Sequence, residues 1–262
     1  MNKLKILTIN IGNPSIVRAR QQAKWLESRS EDVFVLTETI DSVGWTYLAK
    51  YFTNYGLEFD LFTTNTDKKY YVFYPKSNTG DLGVMIISRT PIEREYSIYD
   101  ISHKFYSRFA ACDINFNQKK INLIGLYVPS RDRSEEKINR KKEFCTDVAN
   151  YIKNTQTANR IVCGDLNILD KNHIPYYSTF FDWEYRFYDF FINMKYADAF
   201  RQCYPELNEY SWVGRTNDGY RYDYFFVSGL LTDKIRDCYF LHETRSTNKI
   251  TDHSAVLLEL GL

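Results

Sequence analysis

The sequence predicts an α/β protein in which two β-sheets pack face to face with helices outside. Three observations carry that expectation. Short apolar runs of strand character recur along the chain and close on polar residues, while two longer stretches carry apolar residues at helical spacing. Tyr and Phe are abundant, at 22 and 18 of 262 residues, which favours strands and a bulky aromatic core. A single domain over residues 1–262 is expected, because polar strand ends spread from Asn10 to His253 form one site only if the two ends of the chain meet.

The elements follow in order. Residues 3–10 read as a strand ending in Asn10. Pro14 and Ser15 start a helix over 15–29, with Ile16, Ala19, Ala23 and Leu26 as its apolar stripe. Residues 33–37 form the next strand, which runs into Glu38, so the order strand, helix, strand makes one α/β unit. Strands are expected at 70–74, 84–88, 110–116 and 120–127, the last ending in Tyr127. Asn117-Gln118 is read as a hairpin turn, and Asn78-Thr79-Gly80-Asp81 as a second turn.

A second helix starts near Ser134, with Ile138, Cys145, Val148 and Ile152 on its inner face. The charge run from Arg131 to Lys142 is read as mainly a solvated face of that helix and its leading loop. Next comes Arg160-Ile161-Val162-Cys163-Gly164-Asp165-Leu166-Asn167, an apolar strand that stops abruptly in a carboxylate and a carboxamide. Gly164 lets the backbone turn or approach something closely there, although an ordinary turn in which Asp and Asn bond their own backbone reads the segment equally well. In the aromatic stretch 176–200, Phe187, Phe190, Phe191 and Met194 suit a helix. Strands dominate afterwards, with Asp223 inside the aromatic run 221–227 and Thr251-Asp252-His253-Ser254 just before the run 255–260.

Composition excludes several classes. A net charge of +1 and a pI near 7.6 give no global basic field to announce a nucleic-acid partner, leaving only a local basic surface. The five cysteines, Cys112, Cys145, Cys163, Cys203 and Cys238, show no paired CxxC spacing. Their odd number without a signal peptide points to reduced thiols and a cytoplasmic setting. No apolar run approaches the roughly 18 residues needed to cross a bilayer, so no membrane partner is expected. A zinc-type His/Cys cluster, a phosphate-binding P-loop and a Gly-x-Ser-x-Gly elbow are all missing.

What the polar strand ends offer is phosphodiester chemistry. Hydrolysis of a phosphodiester needs an activated water, neutralisation of the phosphoryl oxygens and help for the leaving alkoxide. A hard divalent cation on carboxylate and amide oxygens meets the last two needs. Glu38 is the leading metal ligand, with Asn10 and Asp252 completing or supporting its shell. Asp165 and Asn167 would hold the nucleophilic water on the opposite face of the phosphorus. His253, oriented by Asp223, would stay protonated and bind a phosphoryl oxygen, and the Tyr127 phenol can donate to the phosphate or meet the leaving group. Taken one at a time, His253 reads as a capped histidine and Tyr127 as a packed aromatic; His103, His173 and His242 lack such context and are read as structural.

The ordered set Thr8-Ile9-Asn10, Leu36-Thr37-Glu38-Thr39, Gly83-Val84-Met85-Ile86-Ile87-Ser88-Arg89, Leu126-Tyr127-Val128-Pro129, Gly164-Asp165-Leu166-Asn167, Asp198-Ala199-Phe200-Arg201, Arg221-Tyr222-Asp223-Tyr224 and Asp252-His253-Ser254 resembles the endonuclease/exonuclease/phosphatase superfamily. The resemblance spans nearly the whole chain. It implies a four-layer α/β-sandwich of the DNase I-like kind, Mg²⁺- or Mn²⁺-dependent phosphoester hydrolysis, and the same division of roles among these residues. Gly125-Leu126-Tyr127-Val128-Pro129 stands where other branches show a histidine segment, and so resembles the exonuclease III and apurinic-endonuclease branch, whose substrate is DNA. Tyr210-Ser211-Trp212 and Tyr220-Arg221-Tyr222-Asp223 are similar to that branch's late aromatic loop, so Trp212 and Tyr220 are candidates to face a nucleotide.

Phosphate contacts are expected from Arg108, Arg131, Arg133 and Arg221. Two departures, Glu38-Thr39-Ile40 for the usual Glu-Thr-Lys and Asn10-Ile11-Gly12-Asn13 for the usual continuation into Gly-Leu-Arg, put abasic-site specificity in doubt. A monomeric DNA endonuclease or 3′-exonuclease is the leading expectation. The alternatives are a phosphoesterase acting on RNA, a small phosphoester or a phospholipid head group, and, last, a non-catalytic DNA-binding relative.

Overall fold

The computed structural model describes residues 3–53, 70–75, 80–96, 103–155 and 157–262. The chain runs β1 (Lys3–Asn10), α1 (Ile16–Ser28), β2 (Val33–Thr39), α2 (Val43–Thr53), β3 (Tyr71–Phe73), β4 (Gly83–Ser88) and β5 (Ile92–Glu95). A short 3-10 helix (His103–Arg108) leads into β6 (Phe109–Phe116), β7 (Lys119–Tyr127), α3 (Glu135–Asn154), β8 (Arg160–Asp165) and α4 (Asp182–Asn193). The C-terminal part holds β9 (Ala197–Asp198), α5 (Ala199–Cys203), β10 (Trp212–Val213), β11 (Gly219–Tyr220), β12 (Asp223–Val227), α6 (Gly229–Thr232), β13 (Ile235–Leu241), α7 (Glu243–Ser246) and β14 (Ala255–Gly261).

Two six-stranded mixed sheets result, ordered β13-β14-β1-β2-β4-β3 and β5-β6-β7-β8-β12-β9. Each contains one parallel pair, β1 with β2 across α1 and β7 with β8 across α3. Strand residues alternate between two apolar surfaces, as a period of two requires. From the first sheet, Leu4, Ile6, Val35 and Ile86 face Leu123, Ile161, Cys163 and Phe225 of the second. On the outer face of the first sheet, Leu7, Ile9 and Phe34 pack beneath Ala19, Ala23 and Leu26 of α1 and Leu48 and Phe52 of α2. On the outer face of the second, Ile124, Val162 and Phe226 pack beneath Phe144 and Val148 of α3 and Phe187 and Phe191 of α4. The layers are therefore helix, sheet, sheet, helix, the four-layer α/β-sandwich that the sequence resemblance implies. Gly125 sets how closely the sheets approach, because a Cβ there would lie 2.7 Å from Val84 Cγ1 and 2.8 Å from Val35 Cγ1.

Local signals behave as their chemistry demands. Ser15 caps α1 by accepting from the Arg18 amide at 3.4 Å. Asn117 and Gln118 turn between β6 and β7 with φ of 49° and 63°, the positive pair that a two-residue hairpin needs. Of the second expected turn, Asn78 and Thr79 lie outside the described residues. The reading of the Arg131 to Lys142 run as a solvated face needs correction at Lys141. That side chain points inward, only 2% exposed, and pairs with Glu184 at 2.5 Å. Among the described residues no helix is long and apolar enough to cross a membrane.

Candidate active site

Both parallel pairs deliver their carboxyl ends to the same edge of the sandwich, the edge where crevices form in sheets of this kind. Asn10 ends β1, Tyr127 ends β7 and Asp165 ends β8. Asp223 begins β12 directly opposite Asp165, and His253, two residues before the start of β14, forms a bridge with Trp212. Glu38 has φ of 58° where the β2–β4 register slips, and this irregularity aims its side chain out of the ladder. Asn167 is also left-handed, at φ 49°. Gly164, at φ +132°, passes so close to β7 that a Cβ would sit 2.0 Å from the Leu126 carbonyl oxygen. Only glycine fits there, which explains its place just before Asp165.

One connected set of contacts joins these side chains. His253 Nδ1 meets Asp223 Oδ2 at 2.8 Å. Ligand atoms of Asp165, Asp223 and His253 lie within 4.8 Å of one another. Asn10 Nδ2 donates to Asp165 Oδ2 at 2.9 Å, and its Oδ1 accepts from the Gly12 amide at 2.9 Å. Tyr127 Oη donates to Glu38 Oε1 at 3.2 Å. Asp165 Oδ1 accepts from the Asn167 amide at 3.0 Å, and Asn167 Nδ2 donates to the Val128 carbonyl at 3.0 Å. The turn and the cluster therefore share a residue, since the Asp165 carboxylate that closes the Asp-Asn turn also lies beside Asp223 and His253.

Burial and like charge shape the protonation states. Burial raises the Asp165 carboxyl well above the usual carboxylate range, and the neighbouring Asp223 adds to this. Burial alone would discharge His253, but Asp223, Asp165 and Asp252 outweigh it and raise the imidazolium to about 9. Glu38 is also raised, first by burial and further by Asp252. A Cβ on Gly12 would lie 3.8 Å from Asp252 Oδ1 and 4.0 Å from Glu38 Oε2, so these carboxylates face a common spot. Asp223 Oδ1 is buried without a hydrogen-bond donor. Carboxylate oxygens gathered at one edge are the hard donors a divalent cation binds, and the Arg18 guanidinium, 3.7 Å from the same Gly12 point, is the cation already beside them.

The expected substrate contacts divide. Trp212 is half-buried and donates from Nε1 to Asp252 Oδ2 at 3.0 Å, which places it beside the site. Tyr220 stacks on Tyr177 at 4.3 Å and on Tyr222 at 5.1 Å, so these rings form an aromatic wall. Arg221 is not a phosphate contact. Its side chain is 1% exposed and ion-paired to Asp170 at 2.5 Å and Asp198 at 2.8 Å beneath that wall. Arg108 and Arg131 are likewise committed to partners. Arg108 pairs with Asp81 at 2.8 Å and stacks over Tyr127, while Arg131 pairs with Glu184 and covers Phe181.

His173 is structural as expected, with Nε2 accepting from the Arg221 amide and Nδ1 donating to the Pro175 carbonyl. Two supporting residues escaped the sequence reading. Lys141 donates to the Asn167 carbonyl at 2.6 Å, and buried Ser211 accepts at Oγ from the amides of Tyr222 and Asp223 at 2.9 and 3.1 Å. Spacing does place Lys141 on the inner face of α3, four residues before Cys145, and that was the available signal.

Comparison with known proteins places this geometry. Residues 7–253 match the model of the Endonuclease/Exonuclease/phosphatase family. An exodeoxyribonuclease of Bacillus subtilis (strain 168) is 25% identical over 256 residues, covering 89% of this chain and 92% of its own. A solved AP endonuclease from Archaeoglobus fulgidus superimposes with a TM-score of 0.79 at 22% identity, over 99% of this chain and 100% of its own. A 3′ phosphatase from Neisseria, bound to product DNA hairpin, superimposes at 0.81 with 19% identity and the same coverage.

Proposed function

The chain belongs to the endonuclease/exonuclease/phosphatase family, and from that premise we propose that it is a divalent-metal-dependent phosphodiester hydrolase of the exonuclease III type acting on DNA. It would work as one catalytic domain, a cytoplasmic monomer, in endonuclease or 3′-exonuclease mode. The observation that carries the proposal is the gathering of Asp165, Asp223 and His253 within 4.8 Å at one sandwich edge, with Asn10 bonded to Asp165 and Tyr127 bonded to Glu38. The names of the relatives, an exodeoxyribonuclease and an AP endonuclease, favour DNA over other phosphoesters.

Glu38, Asp252 and Asn10 would hold Mg²⁺, with Mn²⁺ as a substitute, and the bound ion would neutralise phosphoryl charge and ease departure of the alkoxide. The protein's own groups supply the rest. Asp165, raised toward neutrality by burial, is poised to accept a proton from water, and Asn167 helps fix that water. His253, kept charged by Asp223, presents a proton at Nε2 to a non-bridging oxygen. The Tyr127 phenol, held at Glu38, faces the leaving group. Trp212 and Tyr220 offer stacking surface to a nucleotide beside Asp252.

The test is a cleavage panel with Mg²⁺, comparing abasic, nicked, single-stranded and intact duplex DNA with RNA. DNA is expected to be cut, with loss in Asp165→Ala and His253→Ala. Cleavage that persists in EDTA, or turnover of RNA or a small phosphoester with DNA inert, would overturn the proposal.

A further inference from the structure

Lysine is rarely taken fully out of water, and Lys141 is 2% exposed on the inner face of α3. Its ammonium lies 5.6 Å from the centroid of the Phe180 ring and donates to Glu184 Oε1 at 2.5 Å and to the Asn167 carbonyl at 2.6 Å. Arg131 Nε holds the other oxygen of Glu184 at 3.1 Å, so the carboxylate is fixed from both sides. Apolar residues of similar volume often replace a buried ion pair without loss of stability, so the pairing alone does not explain a lysine here. What an apolar side chain could not do is donate to Asn167.

Asn167 has φ of 49°, a conformation that costs a non-glycine residue free energy and persists where the surroundings over-determine it. Its amide donates to Asp165 Oδ1 at 3.0 Å, at the end of β8, and its Nδ2 donates to the Val128 carbonyl at 3.0 Å, just past β7. The third tie comes from α3, as a charge-assisted bond that is roughly twice as strong as a neutral one. Among the described residues, Oδ1 is the one polar atom of Asn167 with no hydrogen-bond partner. The carboxamide is therefore held by its nitrogen and offers an acceptor.

We propose that Lys141 is a positioning residue for hydrolysis: its ammonium, held by Glu184, locks the Asn167 backbone in the left-handed conformation and so fixes where Asn167 Oδ1 meets the attacking water. The inference rests on the phosphodiesterase reading above and deepens it, extending the machinery to a helix residue that touches no substrate. The leverage is geometric, since a displacement of about 1 Å at a reacting group can cost about a hundred-fold in rate.

The test measures kcat and KM on DNA in Mg²⁺ at a temperature where melting curves show every variant folded. Lys141→Met is compared with wild type. Lys141→Met/Glu184→Gln, which strands no carboxylate, is compared with Glu184→Gln, which keeps the amine. In both comparisons loss of the amine is expected to lower kcat about ten-fold or more while KM changes less than about two-fold. In an Asn167→Ala background the same change should lower kcat less than about two-fold, because the carboxamide it positions is gone. A purely structural lysine would lower Tm and leave kcat of the folded protein alone. That result, or an equal kcat loss with and without the Asn167 carboxamide, overturns the positioning role. Failure of wild type to cleave DNA in Mg²⁺ instead overturns the phosphodiesterase reading, and the role with it.

Discussion

Replacing Glu184 with Ala should destabilise the protein through a site that touches no substrate. Glu184 is wholly buried at the start of α4, where Oε1 meets Lys141 Nζ at 2.5 Å and Oε2 meets Arg131 Nε at 3.1 Å. Its Oε2 also accepts from the Phe181 amide at 2.8 Å, which closes the first turn of the helix. The Lys141 and Arg131 side chains are only 2% and 9% exposed, so removing the carboxylate strands two cations out of water. Breaking a buried pair in this way costs about 3–5 kcal/mol. For a chain of this size that lowers Tm by roughly 6–20 °C, at about 2–4 °C per kcal/mol.

The assay is a melting curve followed by circular dichroism or calorimetry for Glu184→Ala, Lys141→Met and the double variant. Because the double variant leaves one fewer unpaired charge, it should melt above the sum of the single losses. Acid sensitivity should change as well. Burial opposes ionisation of Glu184, but Arg131 and Lys141 prevail and hold it below its ordinary range. Its stabilising contribution is therefore present above the ordinary carboxylate pKa and lost as pH falls through the depressed value, and Glu184→Ala should lack that loss. A Tm drop below about 2 °C, or strict additivity in the double variant, would refute the reasoning.

Three further outcomes are expected. His253, raised from 6.5 to about 9, should contribute stability that is complete below pH 6.5 and disappears as pH rises through 9. That is worth about 3 kcal/mol, and denaturant unfolding across this window should show it in wild type but not in Asp223→Asn; equal pH slopes would contradict it. Gly125→Ala places a methyl against Val84 and Val35 between the sheets and should cost about 1–3 kcal/mol, read as a lower Tm; an unchanged Tm would mean that the sheets separate freely. Glu38→Gln should raise the Mg²⁺ concentration for half-maximal cleavage at least about ten-fold, checked by metal titration of activity and by calorimetric Mg²⁺ binding. Unchanged metal affinity would place the ion elsewhere.

Much of the sandwich was legible because its central strands are buried on both faces. Stretches such as 33–36 and 161–163 have no solvent side to obey, so they appear as unbroken apolar runs. The polar residues that close those runs mark the sheet edge where the site lies, which made Asn10, Tyr127 and Asp165 visible one by one. Pairing order was less legible, because β14 beside β1 joins opposite ends of the sequence and no local pattern encodes that neighbour. The arginines misled for a different reason. Arg221 looks like a phosphate ligand in sequence, but Asp170 and Asp198, distant along the chain, claim its guanidinium. Nor does any motif report that Glu38 and Asn167 adopt positive φ, since that strain is imposed by register and packing around them.

The place of β14 has a consequence for timing. Ala255–Gly261 slots between β1 and β13, and the residue that completes the dyad, His253, stands just ahead of it. Until a growing polypeptide has been extended through this segment, the first sheet lacks an inner member and Asp223 lacks its imidazole. A nascent fragment that ends before residue 252 therefore lacks both Asp252 and His253, and β1 and β13 are left without the strand that joins them.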